Sequence, residues 1–147
     1  MAKRSKAKVC KTFIHRFESD RRLHRSAPEG GLQLNKPIIS GSGIRGIFGE
    51  SLTVQDACSF AAAFGELAGP GRIVVGRDTR KTGPAVEAAV CAGLMGVGCT
   101  PVLLGVVPTP TVQLEAMEDG FCGGIAVTSS HNPGEWNALK LIGPDGV

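Results

Sequence analysis

The chain lacks the cysteine spacing that marks metal-binding and disulfide-rich proteins. Its five cysteines form no C-x-x-C pair, and three of them lie in apolar stretches that suit a helix or a strand. An odd number of widely spaced cysteines argues against a disulfide framework and against a zinc site. We therefore expect buried free thiols in a reducing compartment, the cytoplasm. The five are Cys10, Cys58, Cys91, Cys99 and Cys122.

Long hydrophobic runs are also missing. The longest apolar stretch, residues 93–108, is interrupted by Thr100, Pro101 and several glycines, so it cannot form one membrane span. The start of the chain has no apolar segment of the kind found in secretory signal peptides. The sequence therefore predicts no membrane partner.

Net positive charge is confined to the N-terminal region. Residues 1–25 hold nine Lys and Arg against two acids, whereas the rest of the chain holds seven against eleven. The net charge of +3 is thus a property of a tail and not of a domain. Residues 1–36 have no regular hydrophobic period, and we predict a basic, flexible extension. A nucleic-acid-binding arm and a transit-type segment are the alternatives, although nucleic acid is not an expected partner.

Residues 37–147 suit one domain. Short apolar strands alternate there with helical patterns, which predicts an α/β fold. We expect a three-layer α/β/α domain with a mixed, mostly parallel sheet of about four strands. The last strand follows the preceding one through a loop without a helix, so it can run antiparallel. The predicted strands lie near residues 73–75, 102–104, 125–127 and 138–142.

A polar loop, residues 128–137, leaves the end of the third predicted strand. In folds of this class, ligands bind at the carboxyl ends of the strands. The loop contains Thr128, Ser129, Ser130 and His131, whose hydroxyls and imidazole can hold a phosphate or present a nucleophile. An ordinary Ser/Asn-Pro turn explains the same residues equally well. A serine hydrolase fits poorly, because adjacent Ser and His side chains cannot readily pair and no G-x-S-x-G motif is present.

Two further segments contain residues that suit an anion. Residues 41–46 form a glycine-rich run with Arg45, which can approach and bind phosphate, but the Gly-Lys-Ser/Thr ending of a Walker loop is missing. A structural turn with a surface arginine is the alternative. Residues 76–80 follow the first predicted strand, and we expect Asp78 to pair with Arg77 or Arg80 and to brace that loop.

Taken in order, four blocks resemble the α-D-phosphohexomutases, the family of phosphoglucomutase, phosphomannomutase and phosphoglucosamine mutase. The resemblance covers about residues 37–147, and the Ser-His-Asn-Pro run is its most specific part. It favours phosphate chemistry over an ordinary turn for the polar loop. The blocks are residues 42–46, 75–80, 108–110 and 128–133, the last running on to residues 136–140.

The resemblance implies an isomerase that moves phosphate between O6 and O1 of a hexose phosphate through a hexose 1,6-bisphosphate. By this resemblance Ser130 is the phosphoserine, and its phosphate binds Mg2+ together with aspartates. Lys140, ten residues later, matches a proposed general acid/base, and Arg45 matches an arginine that assists it. His131 is expected to shape the loop beside the phosphoserine.

The chain departs from the family pattern in length. Family enzymes have four domains, and no Asp-x-Asp-x-Asp run is present here to complete the Mg2+ site. We therefore expect residues 37–147 to be the phosphoserine domain, truncated at its C-terminal end and inactive alone, with the remaining domains as its partners. Ser129 stands where the family usually has Ala or Gly.

The alternative function is a non-catalytic sugar-phosphate or partner-binding module that keeps the fold. Such a module has no need of a nucleophile. The presence of the four family site residues therefore favours the mutase. They are Arg45, Ser130, His131 and Lys140.

Overall fold

The computed structural model describes residues 36–41 and 43–147. The predicted N-terminal extension, residues 1–36, lies outside the described residues except for Lys36 and stays a prediction. Within the described residues the chain forms six strands and three helices. They are β1 (Ile38–Ser40), β2 (Gly43–Ile47), α1 (Val54–Ala68), β3 (Arg72–Arg77), α2 (Gly83–Gly96), β4 (Thr100–Val106), α3 (Thr109–Ala116), β5 (Phe121–Val127) and β6 (Trp136–Ile142).

The strands form one mixed sheet in the order β1-β2-β6-β5-β3-β4. β3 pairs in parallel with β4 on one side and β5 on the other, because the helices α2 and α3 carry the chain back between these strands. β6 pairs antiparallel with β5, since only a loop joins them. β2 and β1 continue the antiparallel half. The predicted α/β class, mixed sheet and antiparallel last strand are confirmed.

The number of strands is larger than predicted. The sheet has six strands instead of about four, and its described pairs are two parallel and three antiparallel, so parallel pairing is less dominant than expected. Of the two missed strands, β2 lies where glycines indicated a loop, and β1 is the short strand that precedes it. Gly43 has φ +114°, and a Cβ there would lie 2.1 Å from the carbonyl oxygen of Leu139. Glycine at this position lets β2 lie close to β6, so it belongs to a strand.

Alternate residues of the central strands face two separate helical layers. Ile73 and Val75 of β3 pack into the larger cluster with α1 and α2, whereas Val74, between them, packs with Val112 of α3. This period of two is what a sheet covered on both faces requires. The predicted three-layer α/β/α arrangement is therefore confirmed.

Local signals in the sequence explain the first helix and its packing. Thr53 and Asp56 form a capping box at the start of α1, with the Asp56 N–H donating to the Thr53 hydroxyl at 3.1 Å. Gly93 of α2 lies against α1, where an added Cβ would be 2.2 Å from the Cys58 carbonyl oxygen. Small residues in α2 thus bring the two helices together.

The four described cysteines carry free thiols. Burial raises the pKa of Cys99, and burial followed by the charge of Glu87 raises the pKa of Cys91. Raised values keep these thiols protonated and poorly nucleophilic at neutral pH. Cys10 lies outside the described residues. In the described ranges no helix is both long and apolar enough to cross a membrane.

Candidate active site

Two loops meet at the carboxyl edge of the sheet. β3 and β5 are neighbours, and they lead into residues 78–82 and 128–135 respectively. The Asp78 N–H donates to the Val127 carbonyl at 3.1 Å, so the loops join where the strands end. The polar loop predicted at residues 128–137 is two residues shorter, because β6 begins at Trp136.

Thr128 and Asp78 connect the two loops through their side chains. The Thr128 hydroxyl donates to Asp78 Oδ2 at 2.6 Å and accepts the Ser130 N–H at 3.1 Å. A hydroxyl can do both at once, since it has one proton and two lone pairs. Because Thr128 is 9% exposed, this bridge is shielded from water. It fixes the backbone at Ser130 relative to β3.

Arg80 joins the same loops with a larger set of bonds. Its Nε donates to Asp78 Oδ2 at 3.0 Å, which is the ion pair that the sequence predicted. Arg77 pairs instead with Glu87 of α2 at 3.1 Å. The predicted brace is therefore Asp78–Arg80, and it reaches beyond its own loop. The terminal nitrogens of Arg80 donate to the carbonyls of Ser130 (2.9 Å), Asn132 (2.8 Å), Pro133 and Trp136 (3.0 Å).

Ser130 has an unusual backbone conformation. Its φ of 54° is the only positive value among the described non-glycine residues. The left-handed region costs a residue with a Cβ about 1–2 kcal/mol. Such conformations persist when surrounding contacts hold them, and they cluster at functional sites. Ser130 is also exposed, so its hydroxyl can meet a ligand.

Lys140 contacts the hydroxyl of Ser130. Its Nζ donates to Ser130 Oγ at 2.9 Å. Lys140 lies on β6 opposite Ala126 of β5, so strand pairing places the lysine beside the loop that leaves β5. The structure thus brings together the two residues that the sequence predicted as phosphoserine and general acid/base.

Ser129 has a different environment from its neighbour. It is 4% exposed, and its Oγ accepts from Asn132 Nδ2 at 2.8 Å. A buried hydroxyl with a partner inside the loop is a structural group. This geometry favours Ser130 over Ser129 as the hydroxyl that a substrate reaches.

Arg45 and His131 lie near this pair but are not bonded to it. Arg45 is exposed on β2 opposite Ala138. Ala138 and Lys140 are two positions apart on β6, so their side chains share one face of the sheet. Arg45 lies on that face because it is paired with Ala138. His131 is exposed next to Ser130. Among the described residues no hydrogen bond links either side chain to Ser130.

The described residues do not build a Mg2+ site by themselves. They contain no group of three or more His, Cys, Asp or Glu that could hold a metal ion. Asp78 is the carboxylate that the hydrogen-bond network links to Ser130, and its Oδ2 already accepts from Arg80 and Thr128. Mg2+ prefers an octahedral set of oxygen ligands. Ser130 is the one candidate ligand in this network, so the donors that the structure describes do not suffice for the ion.

Sequence reasoning missed the structural role of Asn137. This residue is fully buried, and its Nδ2 donates to the Thr82 hydroxyl at 2.9 Å just before α2. Its Oδ1 accepts the Ala138 N–H at 2.8 Å. The contact joins the start of β6, which carries Lys140, to the end of the Arg80 loop. The sequence placed Asn137 in the predicted polar loop, and its partner is 55 residues away, so no local pattern indicated this contact.

Comparisons with known proteins identify the family of the chain. Residues 36–147 match the family model "Phosphoglucomutase/phosphomannomutase, alpha/beta/alpha domain I". The chain is similar to phosphoglucosamine mutase of Thermotoga sp. (strain RQ2), with 46% identity over 68% of this chain and 23% of the relative. It is also similar to phosphoglucosamine mutase of Hyphomonas neptunium (strain ATCC 15444), with 48% identity over 71% of this chain and 24% of the relative.

A solved structure gives the same result. A phosphoglucomutase/phosphomannomutase family protein from Burkholderia thailandensis superposes with a TM-score of 0.66 and 34% sequence identity, covering 72% of this chain and 26% of that one. The chain spans about a quarter of the length of the relatives that it matches. The chain therefore belongs to the phosphohexomutase family and corresponds to its N-terminal domain, domain I.

Proposed function

We propose that this domain carries the phosphoryl group of a phosphohexose mutase on Ser130, moving phosphate between O6 and O1 of a hexose phosphate. The single observation that carries the proposal is the 2.9 Å contact between Lys140 Nζ and Ser130 Oγ. A proton donor at the oxygen that gains and loses phosphate is what general acid/base catalysis requires. A module that only binds sugar phosphate has no use for this contact.

In the proposed step a sugar hydroxyl oxygen attacks the phosphorus of phosphoserine. The bond from phosphorus to Ser130 Oγ breaks, and Oγ takes a proton from the Lys140 ammonium. The sugar hydroxyl loses its proton to solvent, and Lys140 stays neutral until the return step. The bisphosphorylated sugar then returns its other phosphate to Ser130 in the reverse sequence, with neutral Lys140 accepting the serine proton.

Arg45 and His131 are proposed to act around this pair. Arg45, exposed on the same sheet face as Lys140, supplies positive charge where phosphate charge develops, which stabilises phosphoryl transfer. His131 shapes the loop beside Ser130. The Ser130 phosphate would hold Mg2+ together with aspartates of the remaining domains, and the ion would neutralise phosphate charge.

The remaining domains are proposed partners of this one. We propose a cytoplasmic full-length protein in which they supply the metal carboxylates and the sugar-reading groups, so that residues 1–147 alone show no turnover. Hexosamine phosphate is the first substrate to test, because two similar relatives are named phosphoglucosamine mutases.

The test is a substrate panel with the full-length protein, Mg2+ and a catalytic amount of hexose 1,6-bisphosphate. Glucosamine 6-phosphate, glucose 1-phosphate and mannose 1-phosphate are followed by phosphorus NMR. We expect interconversion of the 1- and 6-phosphates for at least one sugar and none with the 147-residue chain. Absence of turnover for all three sugars would refute the proposal, and turnover by the 147-residue chain alone would refute the need for further domains.

A further inference from the structure

One guanidinium holds most of the backbone around Ser130. The five N–H groups of Arg80 meet five acceptors, one carboxylate oxygen and four main-chain carbonyls. An arginine has five donors, so every one is used. The Arg80 side chain is only 10% exposed. The bonds therefore compete little with water, and the side chain is an interior part of the loop.

The four carbonyls come from a short stretch of chain. They belong to Ser130, Asn132, Pro133 and Trp136, and the first is the residue in the left-handed conformation. Carbonyls within one loop repel each other when they point to a common centre, and a cation at that centre removes the repulsion. Since Ser130 O is directed to Arg80 at 2.9 Å, the orientation of the Ser130 backbone is set by this bond.

The opposite side of Ser130 faces Lys140. The Ser130 N–H is held by Thr128, the carbonyl by Arg80, and the hydroxyl meets Lys140 Nζ at 2.9 Å. With both ends of the residue fixed, the direction of the Cα–Cβ bond is set, and Oγ is in the rotamer that contacts Lys140. Lysine could not replace Arg80, because an ammonium has three donors and no planar fork.

We propose that Arg80 is a positioning residue for phosphoryl transfer, acting through the main-chain carbonyls of residues 130–136 to aim Ser130 Oγ at Lys140 and at the substrate. Arg80 touches neither substrate nor the reacting atoms in this role. The inference rests on the proposed function of Ser130, and it goes beyond the local brace that Asp78 and Arg80 form.

The experiment compares three variants of the full-length protein. Arg80→Ala removes all five donors, and Arg80→Lys keeps the charge but not the fork. Arg72→Ala is the matched control, because Arg72 is exposed at the start of β3, far from the loop that follows the strand, and lies over the Phe121 ring. We expect kcat to fall about 100-fold in both Arg80 variants, as for a misplaced reacting group, with KM little changed. The control should keep its kcat.

Two readouts separate positioning from loss of fold. Added guanidinium ion should restore part of the kcat of Arg80→Ala, whereas methylammonium should not. Amide exchange of residues 129–136 should become faster in Arg80→Lys while the central strands β3 and β5 stay protected. If Arg80→Ala does not fold, Arg80→Lys decides the question.

The outcomes are distinguishable from failure of the proposed function. If the wild-type protein has no mutase turnover, the proposed function fails. Amide exchange still tests whether Arg80 holds the backbone of residues 130–136. If the wild type turns over and Arg80→Lys keeps a kcat within about twofold, the positioning role is wrong. Unchanged exchange of residues 129–136 in that variant would contradict it as well.

Discussion

Residues 41–46 and residues 128–135 are alike in the sequence and different in the structure. Both contain residue types that suit phosphate, yet the first forms most of a β-hairpin and the second a true loop. At Gly43 an added Cβ would meet the Leu139 carbonyl, and at Gly46 it would lie 2.7 Å from Ser51 Oγ. These glycines make room for the protein's own chain and not for a ligand.

The loop at residues 128–135 is held by side chains from elsewhere. Arg80 bonds its backbone carbonyls, and Asp78 bonds the hydroxyl of Thr128, which accepts the Ser130 N–H. Ser130 stays exposed, with its hydroxyl beside Lys140. A glycine-rich segment is therefore a weak guide to a phosphate site when its glycines lie in paired strands. A loop whose backbone is bonded by side chains from another loop, while one hydroxyl stays exposed, is a stronger guide.

The largest expected effect concerns Lys140, which contacts Ser130 of the loop at residues 128–135. Lys140→Met in the full-length protein should lower kcat about 1,000-fold, because the proton donor at Ser130 Oγ is lost. Such a loss corresponds to about 4 kcal/mol of activation free energy. Lys36→Met, at an exposed lysine outside the strands, is the control and should keep the wild-type kcat. A Lys140→Met enzyme with more than a tenth of the normal kcat would exclude Lys140 as the acid/base.

A smaller effect is expected from the hairpin. Gly43→Ala should lower the free energy of unfolding by about 3 kcal/mol, because it adds both a positive-φ strain and a clash with the Leu139 carbonyl. Denaturant unfolding of the 147-residue chain measures this difference.

Gly49→Ala separates the two causes. Gly49 also has a positive φ, +87°, but nothing lies within 4 Å of an added Cβ. It should cost only about 1 kcal/mol. Equal losses in the two variants would show that close approach to β6 is not the reason for glycine at position 43.

An effect smaller than that of Gly43→Ala is expected at the bridge between the loops. Thr128→Val keeps the shape of the side chain but removes the hydroxyl that bonds Asp78 and the Ser130 N–H. We expect the free energy of unfolding to fall by about 1–2 kcal/mol, since a shielded carboxylate and an amide lose their partner. Thr111→Val, at an exposed threonine in α3, is the control, for which thermal unfolding should show little change. If the Thr128→Val protein is as stable as this control, the bridge does not contribute to stability.

The sequence predicted the parts of the fold that depend on local pattern. Apolar triplets such as those in β3 and β5 marked buried strands, and Thr53 with Asp56 marked the start of α1. Strand β2 escaped prediction because its glycines indicate a turn unless its partner strand β6, almost 100 residues later in the chain, is known. Strand β1 has only three residues and pairs with β2, so it was missed with it.

Prediction of the candidate site had the same limit. Ser130 and Lys140 were identified from a motif. Their contact depends on antiparallel pairing of β5 and β6, which the connection without a helix between these two strands indicated. Arg80 was predicted only as a neighbour of Asp78. Its bonds to carbonyls about 50 residues later depend on two loops meeting at the sheet edge, and carbonyl acceptors leave no mark in a sequence.

Formation of the phosphoenzyme tests the central claim most directly. Full-length Ser130→Ala and Ser129→Ala variants are incubated with hexose 1,6-bisphosphate, and bound phosphate is measured by intact-mass spectrometry. The account predicts one added phosphoryl group in wild type and in Ser129→Ala, and none in Ser130→Ala. A phosphorylated Ser130→Ala protein together with an unphosphorylated Ser129→Ala protein would contradict it.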